Sequence, residues 1–130
     1  MSTESEQDSR YERGLRIARE IHGDSVERVR ETFESIAPDF ARTVIEFPFG
    51  DIGSRPGLDQ RSREIAIIGA LAAMATAAPE LAVHIRAGLR VGLTREEIVE
   101  ILIQTTVYAG FPAAIGALKV AKAVFAEVDG

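Results

Sequence analysis

The run IAIIGALAAMA at residues 65–75 constrains this chain most. It is the longest apolar stretch in the sequence. It falls short of the roughly 18 residues expected of a membrane span. Asp59 opens the helix that carries it, and after Glu64 that helix is apolar on every face. A helix apolar all round must be covered all round. In a chain of 130 residues, the size of one domain, this predicts coverage by neighbouring copies as well as by the chain itself.

The rest of the sequence reads as helices divided by glycine and proline. Tyr11, Leu15, Ala18 and Ile21 recur at helical spacing, and Gly23 ends that segment. Asp24 or Ser25 caps a second helix reaching about Ile36. Pro38 suits the first turn of a third, carrying Phe40, Val44 and Ile45. Residues 48–58, PFGDIGSRPGL, read as a loop with prescribed turns. Pro79 starts the helix after the apolar run, and Gly92 stands where a C′ glycine would end it. Thr94 with Glu97 three residues on forms a capping box. Gly110 and Pro112 mark the last helix boundary, and that helix runs to about Glu127. No β alternation and no repeat is found. The expected fold class is all-α, with about six to seven helices. The expected organisation is a disordered tail over residues 1–10 and a single helical domain over 11–128.

Composition excludes several functions. The net charge of −5 argues against nucleic acid and against a membrane surface, which call for a basic face. An anionic small substrate remains possible where positive charge is concentrated locally. The absence of cysteine removes disulfides, thiolate nucleophiles and dithiol redox chemistry. His22 and His84, distant in sequence and without cysteine, do not make a transition-metal site. No Walker or Rossmann glycine pattern is present. The polar start MSTESEQDSR is not a secretory signal, so the expected location is the cytoplasm.

A few residues can carry chemistry. His84 stands among alanines in TAAPELAVHIRAGL, and Glu80 lies four residues before it on the same helix face. A carboxylate there can orient an imidazole for acid–base work; the alternative is a half-buried structural histidine. Glu64, at the edge of the apolar helix, either forms an ion pair with an arginine or takes part in a site. Arg55 in the Pro/Gly loop, with Arg61 and Arg63 at the next helix start, can bind a carboxylate, since helix N-termini already favour anions. Surface arginines as such are common. Tyr108 sits near a helix end, suited to packing or to donating a hydrogen bond.

The segments FGDIGSRPGLDQRSREIAIIGAL and ELAVHIRAGLRVGLTREEIVEILIQTTVYAGFPAAIGALKVA resemble the carboxymuconolactone decarboxylase family. The most specific parts are RPGLDxRxR, HIRAGLRxGxTxEEI and VYxGxPAA, in matching order and spacing from about Tyr11 to Glu127. The resemblance implies an all-α fold like that of alkylhydroperoxidase D, assembled as a ring-like homo-oligomer, trimer or hexamer. It implies decarboxylation of γ-carboxymuconolactone in aromatic-acid catabolism by the β-ketoadipate route, with no metal and no organic cofactor. The redox relatives carry Cys-x-x-Cys-x-x-x-His; here Ala77 and Glu80 replace both cysteines while His84 remains, so thiol peroxidase chemistry is closed to this chain. Glu64 matches the helix glutamate that forms a proton relay with that histidine.

The implied site therefore has His84 and Glu64 as catalytic residues. Arg55, Arg61, Arg63, Glu80, Phe47, Phe49 and Tyr108 would surround a small anionic lactone. The sequence departs from the decarboxylase pattern in two places. The segment FPFGDIGS has no Trp, and Ala109 stands where Cys is frequent. A relative acting on another lactone or polyketide, as lyase, isomerase or cyclase, is the second reading. A helical assembly protein without catalysis is the third.

Overall fold

In a computed structural model, residues 3–130 are described, with side chains from Ser9 onward. Among these residues the chain forms seven α-helices and no strand, as the helical periodicity predicts. It divides into two compact units, one ending at Leu58 and the other spanning Asp59–Gly130. Met1 and Ser2 of the tail expected to be disordered lie outside the described residues. The first helix begins at Thr3, well ahead of Tyr11, and Ser9 and Arg10 are helical. Arg10 is held by Asp51, a partner far along the chain that periodicity cannot reveal.

In the first unit, α1 (Thr3–His22) ends at Gly23, whose φ of 64° suits glycine. A 3₁₀ turn, Gly23–Ser25, leads to α2 (Val26–Glu34) and then α3 (Pro38–Ile45), with Pro38 in its first turn. The loop expected over 48–58 does not begin there. The helical path continues past Ile45 as a wide π-turn, Glu46–Gly53. Pro48 explains the widening: in an α-helix its ring would clash with the carbonyl four residues back, and its missing N–H would break a bond. Two glycines set how closely α1 meets the end of α3 and this turn. A Cβ on Gly14 would lie 2.3 Å from the Ile45 carbonyl oxygen, and one on Gly50 would lie 2.6 Å from that of Arg10. Ala18, Val26 and Ile45 are buried at this junction, flanked by Tyr11, Leu15 and Phe49.

In the second unit, α4 (Gln60–Met74) is capped by Asp59, whose Oδ1 accepts from the Ser62 amide at 2.7 Å. It ends at Ala75, the one described non-glycine residue with positive φ. The next helix, α5 (Ala78–Arg90), carries Pro79 in its first turn and closes in a Schellman motif. Gly92 has φ 104°, and the Leu93 amide reaches the Gly88 carbonyl at 2.9 Å. The expected capping box is present in α6 (Arg95–Ala109): Thr94 Oγ1 accepts from the Glu97 amide at 3.0 Å, and Glu97 Oε1 from the Thr94 amide at 2.9 Å. The last helix, α7 (Phe111–Asp129), lays Ala113, Ala117, Ala121 and Val124 into the core.

Ile68, Ile85, Ile98 and Leu102 form the dry centre of this unit. Fully burying such a side chain contributes about 1.5–3 kcal/mol. Within the chain, α4 buries only the stripe Glu64, Ile68 and Ala72. Ala66, Ala70, Ala73 and Met74 are exposed. The apolar helix is thus covered on one side.

Candidate functional site

Glu64, Ile68 and Ala72 recur every four residues, so a carboxylate occupies the first position of a core stripe. Glu64 is 1% exposed. Burying an ionised carboxylate without a partner costs several kcal/mol, and the partner here comes from α5. His84 Nδ1 lies 2.9 Å from Glu64 Oε2. On α5, Leu81, Ile85 and Gly88 are buried, and His84 flanks that stripe with its side chain 22% exposed. With Glu64 ionised, the proton sits on Nδ1, and Nε2 is the basic nitrogen of the neutral ring. A buried carboxylate fixing one imidazole nitrogen is how acid–base sites set tautomer and orientation.

The carboxylate on Nδ1 is therefore Glu64 from a neighbouring helix, not Glu80 one turn away. Glu80 is exposed on the first turn of α5. Arg61 is engaged by the Glu97 carboxylate, which ties α4 to the capping box of α6. Arg63 stands half-buried two residues on. Tyr108 is fully exposed on the last turn of α6. It borders an open, largely apolar groove of about 410 Å³ between α4 and α6, with Gly69, Ala73, Ile101 and Thr105 in its lining. Glu64 and His84 are not part of that lining.

Arg55, Phe47 and Phe49 belong to the first unit. Arg55 follows the π-turn, its amide bonded to the Ile52 carbonyl at 3.1 Å. Phe47 is exposed, and Phe49 packs edge-on to His22 with ring centroids 5.5 Å apart. Sequence reasoning missed the polar network here. Arg10 forks onto Asp51, with Nε 2.9 Å from Oδ1 and Nη2 2.6 Å from Oδ2. Arg13 Nε donates to the Gly50 carbonyl at 2.7 Å. The hydrogen bond from Arg10 holds the Asp51 carboxyl below the usual carboxylate range. Glu46, buried beneath, meets Arg42 Nε at 3.1 Å. The i, i+3 spacing of Arg10 and Arg13 signals a shared face, but nothing local names a partner 41 positions away.

The fold and site define an all-α protein in which a core carboxylate aligns an imidazole on the adjacent helix. The chain belongs to the carboxymuconolactone decarboxylase family, whose pattern matches residues 38–123. It is 33% identical to the 4-carboxymuconolactone decarboxylase of Acinetobacter baylyi, over 93% of this chain and 90% of that protein. It is 36% identical to an uncharacterized 15.0 kDa protein from the nqo9-nqo10 intergenic region of Paracoccus denitrificans, over 74% of this chain and 72% of that one. It is 29% identical to the nitrosuccinic acid decarboxylase npaB of Metarhizium robertsii, over 83% of this chain and 76% of that protein. Among the described residues no helix is long and apolar enough to cross a membrane.

Proposed function

We propose that this protein is a cofactor-independent decarboxylase of 4-carboxymuconolactone or a closely related carboxylated lactone, acting in aromatic-acid breakdown. The observation that carries the reading is the 2.9 Å contact between His84 Nδ1 and the buried Glu64 carboxylate. It gives a family member without cysteine a group able to move a proton.

The substrate supplies its own electron sink. Loss of CO₂ leaves an electron pair on the ring carbon, which delocalises through the adjacent C=C into the lactone carbonyl. No pyridoxal-type group is then required. The protein has to hold the remaining carboxylate, stabilise the enolate oxygen and return one proton to carbon. Nε2 of His84 takes up a proton from solvent and passes it to carbon, with Glu64 fixing the ring through Nδ1. Arg55 is assigned to the remaining carboxylate; of the two arginines on α4, Arg63 suits such a role better than Arg61, which Glu97 engages. Phe47, Phe49 and Tyr108 are assigned to the apolar surroundings, and Glu80 to the polar rim. The protein works as a homo-oligomer in the cytoplasm, and the exposed apolar side chains Met74, Val107, Tyr108 and Phe111 support burial by further copies.

A second substrate follows from the Metarhizium relative. Nitrosuccinic acid also carries two carboxyls, and its nitro group can take up the electron pair that CO₂ leaves behind. CO₂ release from each compound, with the wild type and with His84→Ala, tests the proposal. Turnover of the lactone, lost in the variant, supports it. Turnover of nitrosuccinate alone would move the substrate to nitro acids. No turnover of either by a folded, assembled protein would reject a decarboxylase of this substrate class.

A further inference from the structure

We infer that Arg10 and Arg13 of α1 are positioning residues for Arg55, acting through the π-turn Glu46–Gly53. This rests on the reading above, in which Arg55 binds the substrate carboxylate. Two independent bonds converge on one backbone oxygen five residues ahead of Arg55. The Gly50 carbonyl accepts from Arg13 Nε at 2.7 Å and from Ser54 Oγ at 2.6 Å. Ser54 is the residue immediately before Arg55. The adjoining Asp51 is gripped at both oxygens by the Arg10 fork, and Arg13 Nη2 lies 3.7 Å from the same carboxylate. Arg10 Nη1 also faces buried Glu46 at 4.0 Å, at the start of the turn.

These contacts hold the turn at its start and in its middle, and Ser54 ties the residue before Arg55 back to Gly50. A π-turn is rare, and such turns recur at functional sites. Here the stiffness comes from outside, from two guanidinium groups on α1. Gly50 permits it, because any Cβ there would strike the Arg10 carbonyl oxygen. Bidentate geometry sets direction as well as distance. A side chain four residues past Asp51 therefore inherits a defined origin.

The test combines kinetics with hydrogen exchange on the full-length protein. Arg10→Gln is expected to raise KM about tenfold and leave kcat within about twofold, the signature of lost uniform binding. Arg10→Lys, which keeps the charge without the fork, recovers part of the loss. In an Arg55→Ala background Arg10→Gln adds nothing further, because residues acting through one another are not additive. An equal rise in both backgrounds would overturn the inference. If Arg55→Ala itself leaves KM unchanged, the substrate-binding role of Arg55 fails and the positioning role falls with it. Amide exchange over residues 51–58 needs no substrate: faster exchange in Arg10→Gln and Asp51→Asn supports the clamp, and unchanged exchange in both rejects it whatever the activity.

Discussion

Arg61 on α4 donates to the Glu97 carboxylate that also caps α6. One side chain thus closes the N-terminus of one helix and ties it to another. Asp59 caps the start of α4, so both helix starts are fixed near one another by acceptors placed on amides.

Removing this cap has a defined cost. Thr94→Ala deletes the oxygen that accepts from the Glu97 amide and is expected to destabilise by about 1 kcal/mol, read as a Tm lower by about 4 °C. Thr94→Ser keeps the oxygen and should stay close to the wild type. Equal melting of Thr94→Ala and wild type would show that the cap is redundant.

Glu127 and Asp129 give a pH prediction. The hydrogen bonds from Arg86 to Glu127 and from Arg95 to Asp129 hold both carboxyls below their ordinary values of 4.5 and 3.8. A depressed folded-state value means that the unfolded chain binds the proton first. Each pair therefore stabilises fully above the ordinary value, and the stabilisation is lost as pH falls through the folded value. Arg86→Gln should be less stable than wild type at pH 7. That difference should shrink below pH 4.5 and vanish in stronger acid. A difference independent of pH, followed by urea unfolding, would assign the effect to packing instead.

Two glycines should answer alanine in opposite ways. In a helix interior, alanine is ordinarily better than glycine by about 1 kcal/mol. Gly116 on α7 has nothing within 4 Å of a Cβ, so Gly116→Ala should stabilise. At Gly14 the added atom would lie 2.3 Å from the Ile45 carbonyl oxygen, and overpacking of about 1–3 kcal/mol outweighs the propensity gain. Gly14→Ala should lower Tm where Gly116→Ala raises it. The same sign for both would contradict the close crossing of α1 and the end of α3.

These contrasts show what the sequence discloses. The starts of α3, α4, α5, α6 and α7 are legible because Pro38, Asp59, Pro79, the Thr94–Glu97 box and Pro112 act within one turn of themselves. The π-turn is not legible: proline and glycine at 48–53 predict a loop equally well, and only the approach of α1 explains Gly50. Helical spacing offers Glu80 as the partner of His84, whereas the structure brings Glu64 from the preceding helix. Periodicity reports which residues share a face, not which faces meet. Glu64 comes into view as a partner of His84 only through the family resemblance, not through periodicity.

Glu64→Gln isolates the role of the carboxylate. It keeps the shape while removing the charge that fixes Nδ1–H. On the proposed mechanism kcat should fall about 10²-fold or more, and KM should change little. A rise in KM with kcat unchanged would make Glu64 part of substrate binding instead.

The most direct measurement is CO₂ release from 4-carboxymuconolactone by the wild type and by His84→Ala, both checked for folding and assembly. The account predicts wild-type turnover and a kcat lower by roughly 10²–10⁴-fold in the variant. Unchanged turnover in a folded His84→Ala protein would contradict it and remove the Glu64–His84 pair from the mechanism.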